Sequence, residues 1–283
     1  MKIVVASGKG GAGKTMVAAN LGYVLSRDRE VTLVDCDVEE PNLHLFFPAE
    51  TADVAVTAEN PVFDPALCTQ CGACGKFCRY GAITVLRDRV LFFAELCHSC
   101  GGCRIVCPEG VITEIGRAIG RVGTSHPLPG LTLVSGFLNE GEVQAPCVVR
   151  AARAAAGEHS LIIQDAAPGV ACAVIETITG CDLCILVTES TPSGLHDLAL
   201  AVEAVRMLSL PAGVVINRSD GRDEAATAFC REHGLLVLMT IPFGREIAAV
   251  QNRGGLVARD LPGFTEKFAA LYAAAMRLCG VKE

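Results

Sequence analysis

Within its first fifteen residues the chain passes from a β-branched run into a helical pattern through a stretch dominated by glycine. The stretch fits G-x-x-x-x-G-K-S/T and stands between a predicted strand and a predicted helix, as that pattern requires. Glycines let backbone N–H groups close around phosphate oxygens, and the start of the helix adds a favourable dipole. We therefore predict a phosphate-binding loop in which Lys14 reaches the β- and γ-phosphates and the Thr15 hydroxyl is a ligand of Mg²⁺; a glycine-rich turn without a ligand is the alternative. The loop consists of Gly8, Lys9, Gly10, Gly11, Ala12, Gly13, Lys14 and Thr15.

The rest of the sequence continues this alternation of short apolar runs and helical stretches. Such alternation is typical of an α/β protein with a mainly parallel sheet and helices on both faces. Right-handed crossovers place the carboxyl ends of the strands along one edge, where ligands bind. The predicted strands are 3–6, 31–34, 131–134, 161–163, 184–187, 213–216 and 236–239, and the predicted helices are 15–27, 148–156, 195–208 and 223–233.

Charge and hydropathy exclude several classes of function. The 24 basic and 31 acidic residues leave a formal charge of -7, which argues against binding nucleic acid through bulk charge. Stable membrane insertion needs about 18 apolar residues in a row, and no run approaches that length. The chain opens directly on its first strand and leaves no room for a secretory signal, so we expect a cytoplasmic protein whose thiols stay reduced.

Cysteine is abundant and unevenly distributed: of fifteen cysteines, eight lie between positions 68 and 107. The stretch 68–83 reappears 29 positions later as 97–112, and both copies fit C-x2-C-G-x-C-x3-C-x2-G-x-I. In a reducing compartment such cysteines bind metal or carry out redox chemistry more often than they form disulfides. We predict a small domain over 60–116, inserted into an α/β domain that comprises 1–59 and 117–283.

The tandem runs resemble those of bacterial-type ferredoxins, small α+β domains that hold two 4Fe-4S clusters. The resemblance implies that each cluster is bound by three cysteines of one run and the fourth cysteine of the other. Arg79 stands where the first run of such ferredoxins has proline, a difference beside one cluster and not among its ligands. Zinc is the alternative metal, because C-x2-C pairs also bind Zn²⁺. The implied ligand sets are Cys68, Cys71, Cys74 and Cys107 for the first cluster, and Cys97, Cys100, Cys103 and Cys78 for the second.

A second lysine inside the glycine-rich loop, Lys9, gives the motif K-G-G-x-G-K-S/T. In this motif the chain resembles the MinD/ParA/nitrogenase iron-protein group of P-loop ATPases. The resemblance implies that Lys9 crosses a subunit interface to ATP bound by the partner. It therefore implies an ATP-dependent homodimer, or a heterodimer with a related ATPase. The other interpretation of Lys9 is a solvated loop residue.

Further segments resemble the switch regions of the same group. Asp35 and Asp37 match switch I, in which Asp37 would orient the attacking water and Asp35 would hold the hydration shell of Mg²⁺. Asp165 and Gly169 match the switch II pattern D-x-x-P-G, with Asp165 binding Mg²⁺ through water and the Gly169 N–H sensing the γ-phosphate. Each residue alone is also common in caps and turns, so the assignment depends on their occurring together. The positions that match the adenine site are Asn217 and Pro242.

Two cysteines outside the repeat support a further hypothesis. In the nitrogenase iron-protein branch, two subunits share one cluster. One ligand from each subunit follows the switch II aspartate by seven residues, and another opens the preceding helix. Here Cys172 follows Asp165 by seven residues, and Cys147 stands after Pro146 at the start of a predicted helix. The hypothesis is a third cluster across a dimer axis, and the alternative is two small cysteines that only pack.

Together these features predict an ATP-binding and ATP-hydrolysing dimeric switch that carries two 4Fe-4S clusters. Nucleotide state would be coupled to electron transfer with a redox or client protein partner. The alternative is an ATP-dependent assembly or positioning factor for iron–sulfur or other metal centres, in which the ferredoxin segment serves docking or cluster carriage. A plain ferredoxin on a relic nucleotide fold is disfavoured because Lys9, Lys14, Thr15, Asp37 and Asp165 are all present.

Overall fold

A nine-stranded sheet is the central element of the computed structural model, which describes residues 1–158 and 161–280. In chain order, the strands of the described residues are β1 (Lys2–Ala6), β2 (Val31–Cys36), β3 (Ala52–Phe63), β4 (Ile83–Val85), β5 (Val90–Phe92), β6 (Ile112–Leu128), β7 (Leu131–Leu138), β8 (Ile162–Ala166), β9 (Leu183–Glu189), β10 (Ala212–Ser219) and β11 (Leu236–Pro242). The main sheet has the order β11-β10-β9-β1-β8-β2-β7-β6-β3, while β4 and β5 form a separate pair.

Helices cover both faces of the main sheet. They are α1 (Lys14–Ser26), α2 (Ala73–Phe77), α3 (Gly102–Ile105), α4 (Ala145–Ala155), α5 (Cys172–Ile178), α6 (Pro192–Met207), α7 (Glu224–Glu232), α8 (Arg245–Asn252), α9 (Val257–Asp260) and α10 (Phe264–Leu278), with 3₁₀ turns at Leu43–Leu45 and Ala94–Leu96. Successive side chains of a strand point to opposite faces. Accordingly Ile3 and Val5 pack with α1 and α10, whereas Val4 and Ala6 pack with α5 and α6. Among the helices of the described residues, none is both long and apolar enough to cross a membrane.

The seven strands that run along the sheet from β11 to β7 are parallel. Each run predicted as a strand overlaps one of them, and the four predicted helices overlap α1, α4, α6 and α7. The prediction of an α/β fold with a mainly parallel sheet is therefore confirmed. Because β1, β8 and β2 are neighbours, the loops that follow them meet at one edge.

The sequence did not predict a two-stranded arm formed by β3 and β6. These strands pair antiparallel from Ala52↔Thr124 to Phe63↔Ile112, and β6 also pairs antiparallel with β7. Much of the arm is exposed, so its sequence lacks the apolar runs of a buried strand. The expected domain boundaries, at residues 60 and 116, fall inside these paired strands and not in a linker.

Between the two strands of the arm, residues 64–111 form what we call the cysteine segment. Its small core is shared with the arm, because Cys74 and Ile83 are buried together with Ile112, the first residue of β6. The sequence repeat is also a structural repeat, because α2 and α3 each begin after a glycine with positive φ, Gly72 at 80° and Gly101 at 69°. The two cysteine runs thus present similar loops from one small unit.

Candidate functional site

The glycine-rich loop joins β1 to α1 at the carboxyl edge of the sheet. Gly13 has φ of 100°, which a glycine adopts readily, and an added Cβ would lie 2.2 Å from Nδ2 of Asn217. Asn217, near the end of β10, is buried and donates from Nδ2 to the Ala12 carbonyl over 2.8 Å. Pro242 lies on the adjacent strand, opposite Ser219. Asn217 therefore fixes the loop to the sheet, and contacts of Asn217 and Pro242 with adenine remain predictions.

Lys14 is the first residue of α1 and is only 5% exposed. Its Nζ lies 4.0 Å from Oδ2 of Asp37, which follows β2. Its charge also acts on Asp165, which is fully buried on β8. The structure thus brings together three of the predicted residues, with one ammonium close to two carboxylates. Thr15, the next residue of α1, is half-buried at the same edge.

Asp35, the first aspartate of the segment that matches switch I, is hydrogen-bonded to the backbone of its own loop. Its carboxylate is fully buried and accepts backbone N–H bonds from Asp37 (3.2 Å), Asn42 (2.9 Å) and Leu43 (2.8 Å). Burial and the neighbouring Asp165, its register partner on β8, raise the pKa of Asp35 well above its ordinary value. Asp35 thus fixes the loop that carries Asp37, and a role in the Mg²⁺ hydration shell remains a prediction.

Asp165 is a buried carboxylate with unused hydrogen-bonding capacity. Within the part of the chain that the structure describes, neither of its carboxylate oxygens has a hydrogen-bond partner. Burial raises its pKa from 3.8 to about 7, an effect that Lys14 partly offsets. Burial likewise raises the pKa of Asp37 to about 6. Mg²⁺ prefers oxygen ligands and retains several waters, so Asp165 and the Thr15 hydroxyl fit a hydrated Mg²⁺ at this edge.

We expect Asp165→Asn to stabilise the nucleotide-free protein at pH 8 by about 1–3 kcal/mol, because it removes a buried charge whose burial Lys14 offsets only in part. With a folded pKa of about 7, the stability that protonated Asp165 contributes is complete below about pH 4 and lost as the pH rises through 7. The variant should therefore flatten this part of the pH dependence. Urea unfolding at pH 5 and pH 8 measures it, with the exposed Asp28→Asn as control. A variant less stable than the wild type at pH 8 would contradict this expectation.

Gly169, in the loop after β8, has φ of 87°. Its N–H, the group that the resemblance assigns to the γ-phosphate, donates to the Ser7 carbonyl over 3.0 Å. Ser7 directly precedes the glycine-rich loop and is buried. The loop after β8, which matches the switch II pattern, is therefore bonded to the end of β1 through the N–H of Gly169.

Lys9 is held within its own chain. Its Nζ lies 3.2 Å from Oε2 of Glu189 and 3.5 Å from the Ser193 hydroxyl, and its side chain is 28% exposed. Glu189, at the end of β9, also pairs with Arg218 over 2.6 Å. Glu189 was not singled out from the sequence, because it lies 180 residues from Lys9 and belongs to no motif.

The eight cysteines of the repeat line two pockets, which we call the first and second cysteine pockets. Each pocket combines three cysteines of one run with the fourth cysteine of the other. Ile112 lines the first pocket and Ile83 the second, so apolar side chains share the lining. The first pocket contains Cys68, Cys71, Cys74 and Cys107, and the second contains Cys97, Cys100, Cys103 and Cys78.

Burial raises the pKa of Cys74 and of Cys103. In residues 1–158 and 161–280, no group of three or more His, Cys, Asp or Glu side chains is placed so that it could hold a single metal ion. The pockets nevertheless fit cluster binding in their chemistry, since each has four thiols and an apolar lining.

A wide cleft separates the cysteine segment from the switch loops, and we call it the switch cleft. The second cysteine pocket opens towards it, because His98 and Cys100 line both. Tyr80 stacks on His98 with ring centroids 3.7 Å apart and lines the same cleft. Opposite them the lining is formed by residues 37–40, 143–147, Arg150, 167–168 and 171–174.

Cys147 and Cys172 both line the switch cleft, at the starts of α4 and α5. Cys172 is exposed, and Cys147 is half-buried. Arg150 donates from Nη2 to the Cys147 sulfur over 3.2 Å, and that thiol donates to Oε1 of Gln144 over 3.5 Å. Neither cysteine belongs to the fully buried core.

Fold and site together define a P-loop nucleotide-binding protein: a parallel sheet, a glycine-rich loop before a helix, and a buried lysine beside two aspartates at the strand ends. Residues 3–257 match the family of CobQ/CobB/MinD/ParA nucleotide-binding domains. The chain belongs to this family of nucleotide-binding domains.

The chain is also similar to individual proteins and solved structures. Two uncharacterized proteins of Methanocaldococcus jannaschii, MJ0578 and MJ0579, are each 30% identical to the chain, over 221 and 222 residues. The matches cover 77% of this chain and 78% and 80% of the two relatives. Among solved structures, the septum site-determining protein MinD of Pyrococcus horikoshii in complex with Mg-ADP is similar, with a TM-score of 0.60 and 20% identity over 100% of this chain and 98% of that chain. This last similarity concerns the fold alone.

Proposed function

We propose that the chain is a dimeric ATPase that couples its nucleotide state to electron transfer through two 4Fe-4S clusters, held by a domain over residues 60–116. The observation that carries the proposal is the switch cleft. In that cleft Cys100 of the second cysteine pocket and Asp37 of the nucleotide site line one space. A change in the switch loops would therefore act directly beside a cluster.

The nucleotide part of the proposal rests on family membership and on the site at the sheet edge. The similar MinD of Pyrococcus horikoshii was solved with Mg-ADP, which supports the same ligand class here. Lys14 would neutralise the phosphates, Asp165 and Thr15 would hold hydrated Mg²⁺, and Asp37 would orient the attacking water. Because Gly169 N–H donates to Ser7, γ-phosphate binding would exchange that bond for one to the nucleotide and move the switch II loop.

Dimerisation would require Lys9 to leave Glu189 and reach the partner's nucleotide. We expect Glu189→Gln to lower the ATP concentration needed for half-dimerisation by up to about fivefold, since a partly exposed ion pair contributes at most about 1 kcal/mol. Light scattering during gel filtration across an ATP series measures this. Glu203→Gln, an exposed change on α6, is the control. An unchanged or higher ATP requirement would argue against release of Lys9.

The two cysteine pockets support the cluster part of the proposal. Four thiols around each apolar pocket are the donor set of a 4Fe-4S cluster, whose bound form supplies one-electron transfer. The chain contributes orientation and shielding: Ile83 and Ile112 are buried beside the thiols, and short helices begin within each run. The exposed Cys71 and Cys100 give each pocket a side facing solvent.

The proposed coupling is tested by comparing ATP hydrolysis by oxidised and dithionite-reduced protein, purified without oxygen. We expect the two rates to differ, and a Lys14→Ala preparation to hydrolyse little ATP in either redox state. Identical rates, together with cluster potentials that do not respond to nucleotide, would overturn the coupling. Transfer of iron and sulfide to a metal-free acceptor, without net electron transfer, would favour the assembly factor.

A third cluster bridging two subunits remains part of the proposal. Cys147 and Cys172 line one cleft at two helix starts, which supports it. With such a cluster, iron should fall from about ten to about eight atoms per chain in Cys172→Ala, because a shared cluster contributes about two irons to each chain. Iron quantitation against a Cys230→Ala control measures this. About eight irons per chain in both the wild type and the variant would contradict a third, shared cluster.

A further inference from the structure

The two halves of the cysteine segment differ in how they are attached to the rest of the protein. The loops correspond closely: Gln70 in the first and Ser99 in the second are 29 positions apart and have φ of 52° and 51°. Gln144 donates from Nε2 to the Cys97 carbonyl (3.1 Å) and to the Ser99 hydroxyl (3.0 Å). In the described residues, no hydrogen bond joins the first loop, 68–74, to residues outside 60–116. The internal symmetry of the repeat is therefore broken by one side chain.

Gln144 is placed to transmit movement. It directly precedes α4 and is 2% exposed, so its amide cannot exchange these bonds for water without local rearrangement. Helix α4 is bound to α5 by Arg150, whose Nη1 lies 2.8 Å from Oε2 of Glu176, and by Arg153, which donates to the carbonyls of Glu176 and Thr179. Helix α5 begins directly after the switch II loop.

An ion pair also holds the arm to the residues just before α4. Arg117 on β6 forms a two-pronged pair with Glu142, whose carboxylate is largely buried. The pair anchors the base of the arm, while Gln144 contacts the cysteine loop itself. A shift of α4 would therefore reach the second loop directly through Gln144.

Through Ser99, the hydrogen bonds of Gln144 affect the environment of the Cys97 sulfur. Ser99, whose hydroxyl Gln144 holds, donates its backbone N–H to the Cys97 sulfur over 3.4 Å. Hydrogen bonds to cysteine sulfurs are among the features that set the potential of an iron–sulfur cluster. A small displacement of Gln144 would thus change the environment of one sulfur in the second cysteine pocket.

We propose that Gln144 is a positioning residue that passes nucleotide-driven movement of α5 and α4 to the second cysteine pocket and leaves the first pocket unaffected. The proposal rests on the proposed function and adds a direction to it. Of two similar sites, the one formed by Cys97, Cys100, Cys103 and Cys78 senses the nucleotide, and the other keeps a constant environment.

Hydrogen–deuterium exchange on the anaerobically purified full chain tests the proposal. It is measured without nucleotide, with Mg-ADP and with a non-hydrolysable ATP analogue. In the wild type, exchange of amides 97–103 should differ between the nucleotide states, while that of 68–74 should not. Gln144→Met keeps a similar volume without the hydrogen bonds. It should abolish the difference and make exchange of the second loop at least about fivefold faster, as expected from the loss of the two hydrogen bonds that Gln144 donates. Gln70→Ala, in the first loop, is the control.

Redox titration followed by electron paramagnetic resonance gives a second readout. One of two midpoint potentials should shift between Mg-ADP and the ATP analogue in the wild type, and the shift should be lost in Gln144→Met while nucleotide affinity is retained. Equal responses of both loops, or a response that survives in Gln144→Met, would overturn the role of Gln144 and leave the proposed function standing. A wild type without bound iron or without nucleotide affinity would overturn the proposed function and this inference together.

Discussion

Replacing Lys14 by alanine is expected to lower ATP hydrolysis about 10²- to 10³-fold and to weaken nucleotide binding. The ammonium is almost fully buried, and removing one partner of a buried charge interaction costs about 3–5 kcal/mol. In the proposed complex that partner is the phosphate chain, whose charge no other buried lysine of the described residues would meet. The expected loss is therefore larger than for any other single change at the nucleotide site.

Steady-state hydrolysis and equilibrium binding of a fluorescent nucleotide measure the two effects separately. Lys267→Ala, on the surface of α10, is the matched control. Lys9→Ala should behave differently, retaining nucleotide binding by the monomer while losing dimerisation. Because Asp37 and Asp165 also lose a nearby cation, their pKa values should rise further in Lys14→Ala, and protonation would limit the damage to the fold. Hydrolysis within threefold of the wild type would be incompatible with the proposed site.

The second large effect concerns the cysteines. Alanine at Cys107 is expected to abolish the same spectroscopic signal as alanine at Cys71, although the two cysteines belong to different runs. The reason is geometric, because the two side chains line the first cysteine pocket together. Iron should fall by about four atoms per chain in each variant, as one 4Fe-4S cluster is lost.

Anaerobic iron and sulfide analysis with electron paramagnetic resonance distinguishes the possible groupings. Cys78→Ala should instead affect the cluster that contains Cys97. Cys230→Ala, a buried change on α7, should leave iron content unchanged. A signal shared by Cys107 and Cys97 would contradict the crossed arrangement, and zinc in place of iron would contradict clusters altogether.

Much of the fold follows from the sequence because buried parallel strands have an unmistakable composition. The runs at 3–6 and 184–187 are apolar on both faces, since helices cover both sides of the sheet. The strands of the arm, β3 and β6, have no such apolar pattern in their sequence. They are partly solvated and contain Pro61, Gly116 and Gly120, and their pairing depends on contacts between distant residues.

The candidate site likewise contains residues that the sequence predicts and residues that only the fold reveals. Lys14 and Asp165 belong to motifs whose spacing is set by one loop and one strand end, so the sequence identifies them. Glu189 and Gln144 belong to no motif, and they acquire their importance only through residues brought beside them by the fold. The sequence also could not reveal that Asp35 is already engaged by three backbone N–H groups, because those donors lie in a loop of irregular conformation.

The pairing of Phe63 with Ile112 has a consequence for how such a chain could have arisen. Paired residues on antiparallel strands have Cα atoms about 5 Å apart, so the cysteine segment leaves and re-enters the protein at almost one point. Joining those two points by a short turn would leave an ordinary hairpin, with every other hydrogen bond of the sheet intact. The pairing of the arm therefore does not depend on how long a segment connects its two strands. An insertion between Phe63 and Ile112 would thus lengthen a hairpin while the strand pairing of the sheet is kept.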